Sequence, residues 1–237
     1  MNIVCVGAHQ DDEMNCLGTL IKCVQRGDHV AVATISNGDK GAQYDPSFPH
    51  DEISRVRIAE SSAIMQALGG SYYCMGQEDE YIEDNRQARN WVTRILREAR
   101  ADLVLTCPLN DYNPDHSITG EIVFHAVMLT TVRTMDEVEA PPLDRVPAMY
   151  YCDSCAGIEF EPAFYVDISD VFDRKRELCG LFKTQMINMQ VFGGWDLVTY
   201  AEVLNRFRGL QCGVQYAEAF RPELRWPRAR PGILLPQ

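Results

Sequence analysis

Apolar and polar positions along this chain fall into blocks whose period changes from one to the next. Asn2 to Gly7 is a short apolar run closed by glycine, the pattern of a buried parallel strand. Met14, Leu17, Leu20, Ile21 and Val24 then recur at helical spacing, and Gly27 stands where a helix would stop. Val30 to Ser36 reads as a second strand ending in the turn-like Asn37-Gly38-Asp39, and a polar loop runs from Tyr44 to Asp51. A helix follows over about Ile53 to Leu68, then a third strand at Tyr72 to Cys74. Ala88, Trp91, Val92, Ile95, Leu96 and Ala99 mark another amphipathic helix, Leu103 to Thr106 a fourth strand, and Ile118 to Val132 a further helix. This alternation predicts an α/β fold: a doubly wound, mostly parallel sheet with helices on both faces.

After Pro141-Pro142 the pattern loosens. Strands are expected at Ala148 to Tyr151 and Phe164 to Ile168, and helices over about Val171 to Met189 and Asp196 to Phe207. The tail beyond Arg221 carries Pro222, Pro227, Pro231 and Pro236 and reads as irregular. The expectation is a single domain over 1–237, with a core at 1–135 and a C-terminal part, 136–237, capping the carboxyl edge of the sheet.

Composition narrows the partners. Of 237 residues, 46% are hydrophobic and 24% charged, an ordinary globular balance. Lys and Arg number 22 against 34 Asp and Glu, a net charge of −12 that repels nucleic acid and anionic lipid. No apolar run approaches the ~20 residues that span a bilayer, so no membrane insertion is expected. Met1 to Val6 reads as a strand, not a secretion signal. Nine cysteines, an odd number without framework spacing, fit reduced thiols and a cytoplasmic location.

The densest chemistry is Ala8-His9-Gln10-Asp11-Asp12-Glu13, directly after the first strand. In a tight turn His9 and Asp12 can face one point, offering imidazole nitrogen and carboxylate oxygen to a metal such as zinc, with Asp11 beside it. The competing reading is a helix start whose acidic residues complement the helix dipole. Asn110-Asp111-Tyr112-Asn113-Pro114-Asp115-His116 follows strand four. If strands one and four are neighbours where the winding reverses, both loops open on one crevice and His116 can complete a two-His, one-Asp set. Here too capping competes, with Asn113 as N-cap and Pro114 as first helical residue. His29, His50 and His125 are weak candidates, as is the lone Cys152-Asp153-Ser154-Cys155, and the glycines at 38–41 and 193–194 match no phosphate loop.

These two motifs together resemble the PIG-L/LmbE-like zinc-dependent de-N-acetylases. Ala8 to Glu13 is similar to that family's A-H-P-D-D-E with Gln10 for proline, and Asn113 to His116 is similar to its H-P-D-H. Fainter echoes are Arg57-Ile58-Ala59-Glu60, Asp79, the run Val166 to Phe172 and the run Gly213 to Phe220. The resemblance implies a Rossmann-like fold and an N-acetylglucosamine-type sugar or conjugate as a small-molecule substrate. His9, Asp12 and His116 would be zinc ligands, with Fe²⁺ or Co²⁺ fitting nearly as well. Asp11 would be the general base, and Arg57, Asp79 and Tyr112 substrate contacts, although an ion pair of Arg57 with Glu60 competes. It also implies a homo-oligomer, with no interface readable.

One departure bears on catalysis. Asn113 stands where the family has a histidine; an amide can donate a hydrogen bond but cannot move a proton. Asp115, which would orient that histidine, loses its partner. Three functions therefore stay open: a zinc-dependent N-deacetylase, a metal-containing binding protein with weakened catalysis, and a metal-dependent ester or phosphoester hydrolase.

Overall fold

The computed structural model describes every residue except Ile233, Leu234 and Gln237; that part of the expected irregular tail lies outside the described residues. Strands β1 (Asn2–Gly7), β2 (His29–Ser36), β3 (Ser71–Gln77), β4 (Leu103–Thr106), β5 (Ala148–Cys152), β6 (Phe164–Asp167) and β7 (Ala217–Pro222) form one sheet in the order β3-β2-β1-β4-β5-β7-β6. The first five are parallel, and β7 runs antiparallel between β5 and β6. The winding reverses between β1 and β4, whose Val6 and Thr106 lie opposite one another.

Helices α1 (Leu17–Gln25), α2 (His50–Leu68), α3 (Arg86–Glu98), α4 (Pro114–Leu129), α5 (Phe172–Cys179), α6 (Lys183–Gly193) and α7 (Leu197–Cys212) cover both faces. Because successive strand residues point to opposite sides, β1 serves two cores. Ile3 and Cys5 join Leu17, Leu20, Met65, Phe172 and Phe182, whereas Val4 and Val6 join Val92, Ile95, Leu96, Ile122 and Val123. A strand buried on both sides must be apolar throughout, which is why its run is continuous rather than alternating. Among the described residues no helix is long and apolar enough to cross a membrane.

The structure departs from expectation in four places. The helix expected over 171–189 is two, α5 and α6, separated by Gly180 to Phe182. The C-terminal part adds β5, β6 and β7 to the sheet, and α6 reaches over the carboxyl edge. β7 was not expected at all. Its pattern is interrupted by Glu218, which is buried to accept the Gly18 and Thr19 amides (2.8 and 2.7 Å) at the start of α1 and Lys175 Nζ (2.7 Å). Helix α4 starts at Pro114, with the Asn113 side chain accepting from the Asp115 amide, four residues before the apolar pattern begins.

Candidate active site

Because β1 and β4 are neighbours at the reversal of winding, the loops after Gly7 and Thr106 meet at one edge. A Cβ on Gly7 would overlap the Asp12 side chain, so glycine is needed for the turn to close. Asp12 Oδ2 is spent on the Ala8 and His9 amides (2.6 and 3.1 Å), and Oδ1 lies 3.2 Å from His116 Nε2. His9 Nδ1 is 3.2 Å from the same His116 nitrogen. One donor atom each from His9, Asp12 and His116 therefore falls within 4.8 Å of the others.

What stands behind the imidazoles sets which nitrogens face inward. His9 Nε2 lies 3.0 Å from Asp79 Oδ1 and 3.3 Å from Asp115 Oδ2, while His116 Nδ1 lies 3.0 Å from Asp111 Oδ1. Each ring can give its outer N–H to a carboxylate and turn a bare lone pair toward the cluster, the usual support of a metal-binding histidine. Two nitrogens and one oxygen, backed by carboxylates, suit zinc or another borderline divalent cation. A second grouping of His9, Asp79 and Asp115 shares His9 and supplies its backing.

The charges are strongly coupled. Burial opposes a proton on His9, but Asp115, Asp79 and Asp12 outweigh it and carry the imidazole up to about 9. Burial likewise opposes protonation of His116, and Asp12 with Asp111 drives it well above the ordinary histidine range. Asp79 falls to about 2 because His9 and Arg57 overcome its desolvation. Asp12 is lowered in the same manner, its burial overcome by His116 and His9. So many carboxylates around two imidazoles leave a buried surplus of negative charge that a cation would neutralise.

Asp11 stands apart from the cluster. Its φ of +150° is a region that L-residues seldom enter, held by Asp11 N donating to Glu13 Oε2 (3.0 Å) and Met14 N donating to its carbonyl (2.9 Å). Arg57 Nη2 donates to Asp11 Oδ1 (3.0 Å) and Gln185 Nε2 to Oδ2 (2.6 Å). Burial pushes the Asp11 carboxyl up while Arg57 pulls it down. The same burial carries neighbouring Glu13 up to about 7.

Arg57 is 3% exposed and reaches Asp11, the Gln10 carbonyl (3.0 Å) and Asp79 (3.7 Å). The competing pair with Glu60 does not form: Glu60 instead accepts from the Thr184 amide and hydroxyl (3.0 and 2.7 Å) at the start of α6. A Cβ on Gly41 would collide with the Arg57 side chain, which explains one glycine in a turn that binds no phosphate signature. Gln10 replaces a ring's rigidity by hydrogen bonds, its Nε2 donating to Ser36 O (2.9 Å) and Thr34 Oγ1 (3.3 Å).

A cavity of about 300 Å³ opens onto this cluster, lined among others by Lys40, Arg57, Tyr112, Asn113, Gln185 and Asn188. Asp79 lines it too, but its carboxylate is taken up by His9, Ser36 (3.2 Å) and Arg57. Asp115 is not idle at a helix start: besides His9 it accepts the Glu80 and Ile82 amides (2.9 and 3.3 Å). Tyr112 is 66% exposed and stands edge-on to His116, ring centres 5.7 Å apart. Gln185 and Asn188 come from α6 and had no motif to announce them; a polar pair three residues apart on a surface helix gives no sign of where it docks. His29, His50 and His125 lie outside the cavity lining, and the C-x-x-C cysteines are free thiols, Cys152 buried in the core with Cys5 and Cys16 and Cys155 half-buried.

The profile of the PIG-L family, described as GlcNAc-PI de-N-acetylase, matches residues 4–127. The 1D-myo-inositol 2-acetamido-2-deoxy-alpha-D-glucopyranoside deacetylase of Kribbella flavida is 27% identical over 184 residues, 63% of this chain. The matched stretch spans only 60% of that relative's length. Among solved structures, N,N'-diacetylchitobiose deacetylase from Pyrococcus horikoshii aligns with a TM-score of 0.81 at 22% identity, over 93% of this chain and 83% of its own. The 4-carboxy-2-hydroxymuconate hydratase of Pseudomonas putida aligns with a TM-score of 0.82 at 19% identity, over 98% of this chain and 100% of its own. At these identities the two structures share a fold with this chain, and a fold can host more than one reaction.

Proposed function

Because the chain belongs to the PIG-L family, we propose that it is a metal-dependent hydrolase that cleaves the amide of an N-acylated amino sugar, acetyl in the simplest case. The observation that carries this reading is the arrangement at the β1 edge: three converging donors, and a fourth group, the Asp11 carboxylate, held by two hydrogen-bond donors. His9, Asp12 and His116 would hold the cation. A divalent metal there supplies a Lewis acid for the acyl oxygen and lowers the pKa of water toward ~7.

The chain's own part follows from the positions of its groups. Asp11 accepts the proton of the attacking water and passes it to the leaving nitrogen as the C–N bond breaks and the new C–O bond forms. Arg57 and Gln185 fix both Asp11 oxygens, so the base is oriented before substrate arrives. Asp79, Asp115 and Asp111 act through the imidazoles, as positioning groups. Asn113 spends Oδ1 on capping α4 and has only its N–H groups to offer a developing oxyanion. Lys40 and Asn188 on the cavity wall are placed to meet sugar hydroxyls, which suits a small polar substrate in the 300 Å³ space. A homo-oligomeric state and a cytoplasmic location complete the proposal.

The test is acetate release from a panel of N-acetylated amino sugars by metal-loaded protein. Wild type is expected to release acetate, and Asp11→Asn to lose at least about 10²-fold in rate, the usual worth of a general base. Release unchanged in Asp11→Asn refutes the assigned base. No release from any sugar by wild type favours the second reading, a metal-containing binding protein, for which Asn113 is the specific observation; Asn113→His would then gain activity.

A further inference from the structure

Asp11 and Asp12 are adjacent carboxylates with different duties. Asp12 turns back onto the Ala8 and His9 amides, whereas Asp11 reaches Arg57 of α2 and Gln185 of α6. The backbone divides them at Asp11, where φ is +150° and ψ is −15°, a conformation that a residue with a Cβ seldom adopts. Since φ is the torsion about N–Cα, it sets where the Asp11 N–H points relative to the Asp11 side chain and to the chain that follows. A group that anchors this N–H therefore anchors the direction of the carboxylate.

Glu13 is that group. Its Oε2 accepts from Asp11 N (3.0 Å), and the turn closes behind it as Met14 N donates to the Asp11 carbonyl (2.9 Å) and Cys16 N to the Glu13 carbonyl (3.1 Å). Glu13 is 1% exposed, and its Oε1 has no hydrogen-bond partner among the described residues. A buried carboxyl with one oxygen idle is a costly filler, and an apolar side chain of similar volume would avoid its desolvation. Strained backbone and an unmet buried acceptor together point to a geometry kept for function. We infer that Glu13 is a positioning residue for the general base: through the Asp11 amide it holds Asp11 in this backbone conformation and so keeps its carboxylate against Arg57 and Gln185. This rests on the amide-hydrolase reading above, in which Asp11 is the base.

The test measures kcat, KM and bound zinc for Glu13→Gln and Glu13→Leu, each made in wild type and in Asp11→Asn, on the N-acetylated sugar that wild type hydrolyses best. Glu13→Gln keeps an oxygen for the Asp11 amide and should stay within about threefold of wild type in kcat. Glu13→Leu keeps the bulk without the acceptor; its kcat should fall at least about tenfold at nearly constant KM, with zinc still bound. In the Asp11→Asn background the same change should lower kcat by less than about twofold, because the group being positioned is already disabled. Equal losses in both backgrounds, an unchanged kcat in Glu13→Leu, a loss in Glu13→Gln as deep as in Glu13→Leu, or loss of zinc would each overturn the proposal. Should Glu13→Leu not fold, Glu13→Ala takes its place, and failure of both assigns the residue to the core and overturns the proposal. If wild type hydrolyses no sugar, the hydrolase reading falls and crystals of Glu13→Leu decide separately. An Asp11 carboxylate displaced from Arg57 and Gln185 keeps the positioning role, and an Asp11 unchanged in φ and in both contacts overturns it.

Discussion

Replacing Gln185 by leucine isolates one hydrogen bond on the assigned base. Leucine is close in size and a good helix former, so α6 loses neither bulk nor propensity. What disappears is the 2.6 Å donation from Nε2 to Asp11 Oδ2, together with the Oε1 that accepts from Asn188 Nδ2 (2.9 Å). A hydrogen bond to a charged group is worth about 1.5–3 kcal/mol, which converts to about 10- to 150-fold in kcat/KM. Asp11 retains Arg57, so the loss should fall short of that in Asp11→Asn. Gln185 is only half-buried, and the cost in global stability should stay below about 1 kcal/mol. The assay is steady-state acetate release with metal in excess, alongside thermal denaturation of the same samples. A fall mostly in kcat, at nearly constant Tm, is expected. A kcat/KM within twofold of wild type in a folded, metal-loaded variant would refute the claim that α6 orients the base.

Two further outcomes concern stability. Glu218→Gln removes the counter-charge of the buried Lys175 ammonium and puts an amide NH2 against the Thr19 N–H, leaving one oxygen to accept from Lys175 Nζ, and should cost about 3–5 kcal/mol or about 10 °C in Tm; a drop under ~2 °C in a thermal melt contradicts it. Glu223 is desolvated, yet Arg225 and Tyr151 hold its carboxyl down at about 2 in the folded state. A carboxyl lowered on folding contributes stability that is present above its ordinary pKa and disappears as pH falls through the folded value. Wild type should therefore lose stability relative to Glu223→Gln between pH 4.5 and 2, as urea melts at several pH values would show, and a constant difference across that window would count against the Tyr151–Glu223–Arg225 network.

The legible parts of the site were those where fold and chemistry coincide within a few residues. His9 and Asp12 follow a strand that is apolar on both faces, and His116 sits two residues inside a capped helix start, so topology alone brings the two loops to one edge. Asp79 and Asp115 could be seen as nearby acids but not as the groups behind His9, because that depends on which ring nitrogen turns inward. Arg57 on α2 admitted a substrate contact or a pair with Glu60, and its burial against Asp11 had no sign in the sequence. Gln185 and Asn188 were illegible: their helix reaches the site only because the chain breaks at Gly180 to Phe182, where periodicity suggested continuity. β7 was hidden by its own buried glutamate, whose partners lie some 200 residues away at Gly18 and Thr19.

Metal stoichiometry decides most directly whether three distant side chains form one cation site with Asp11 outside it. Wild type, His116→Ala and Asp11→Asn would each be dialysed against a trace of zinc and analysed for bound metal per chain. The account requires about one, near zero and about one respectively, since His116 contributes a ligand nitrogen and Asp11 none. Full metal retention in His116→Ala, or its loss in Asp11→Asn, would contradict it.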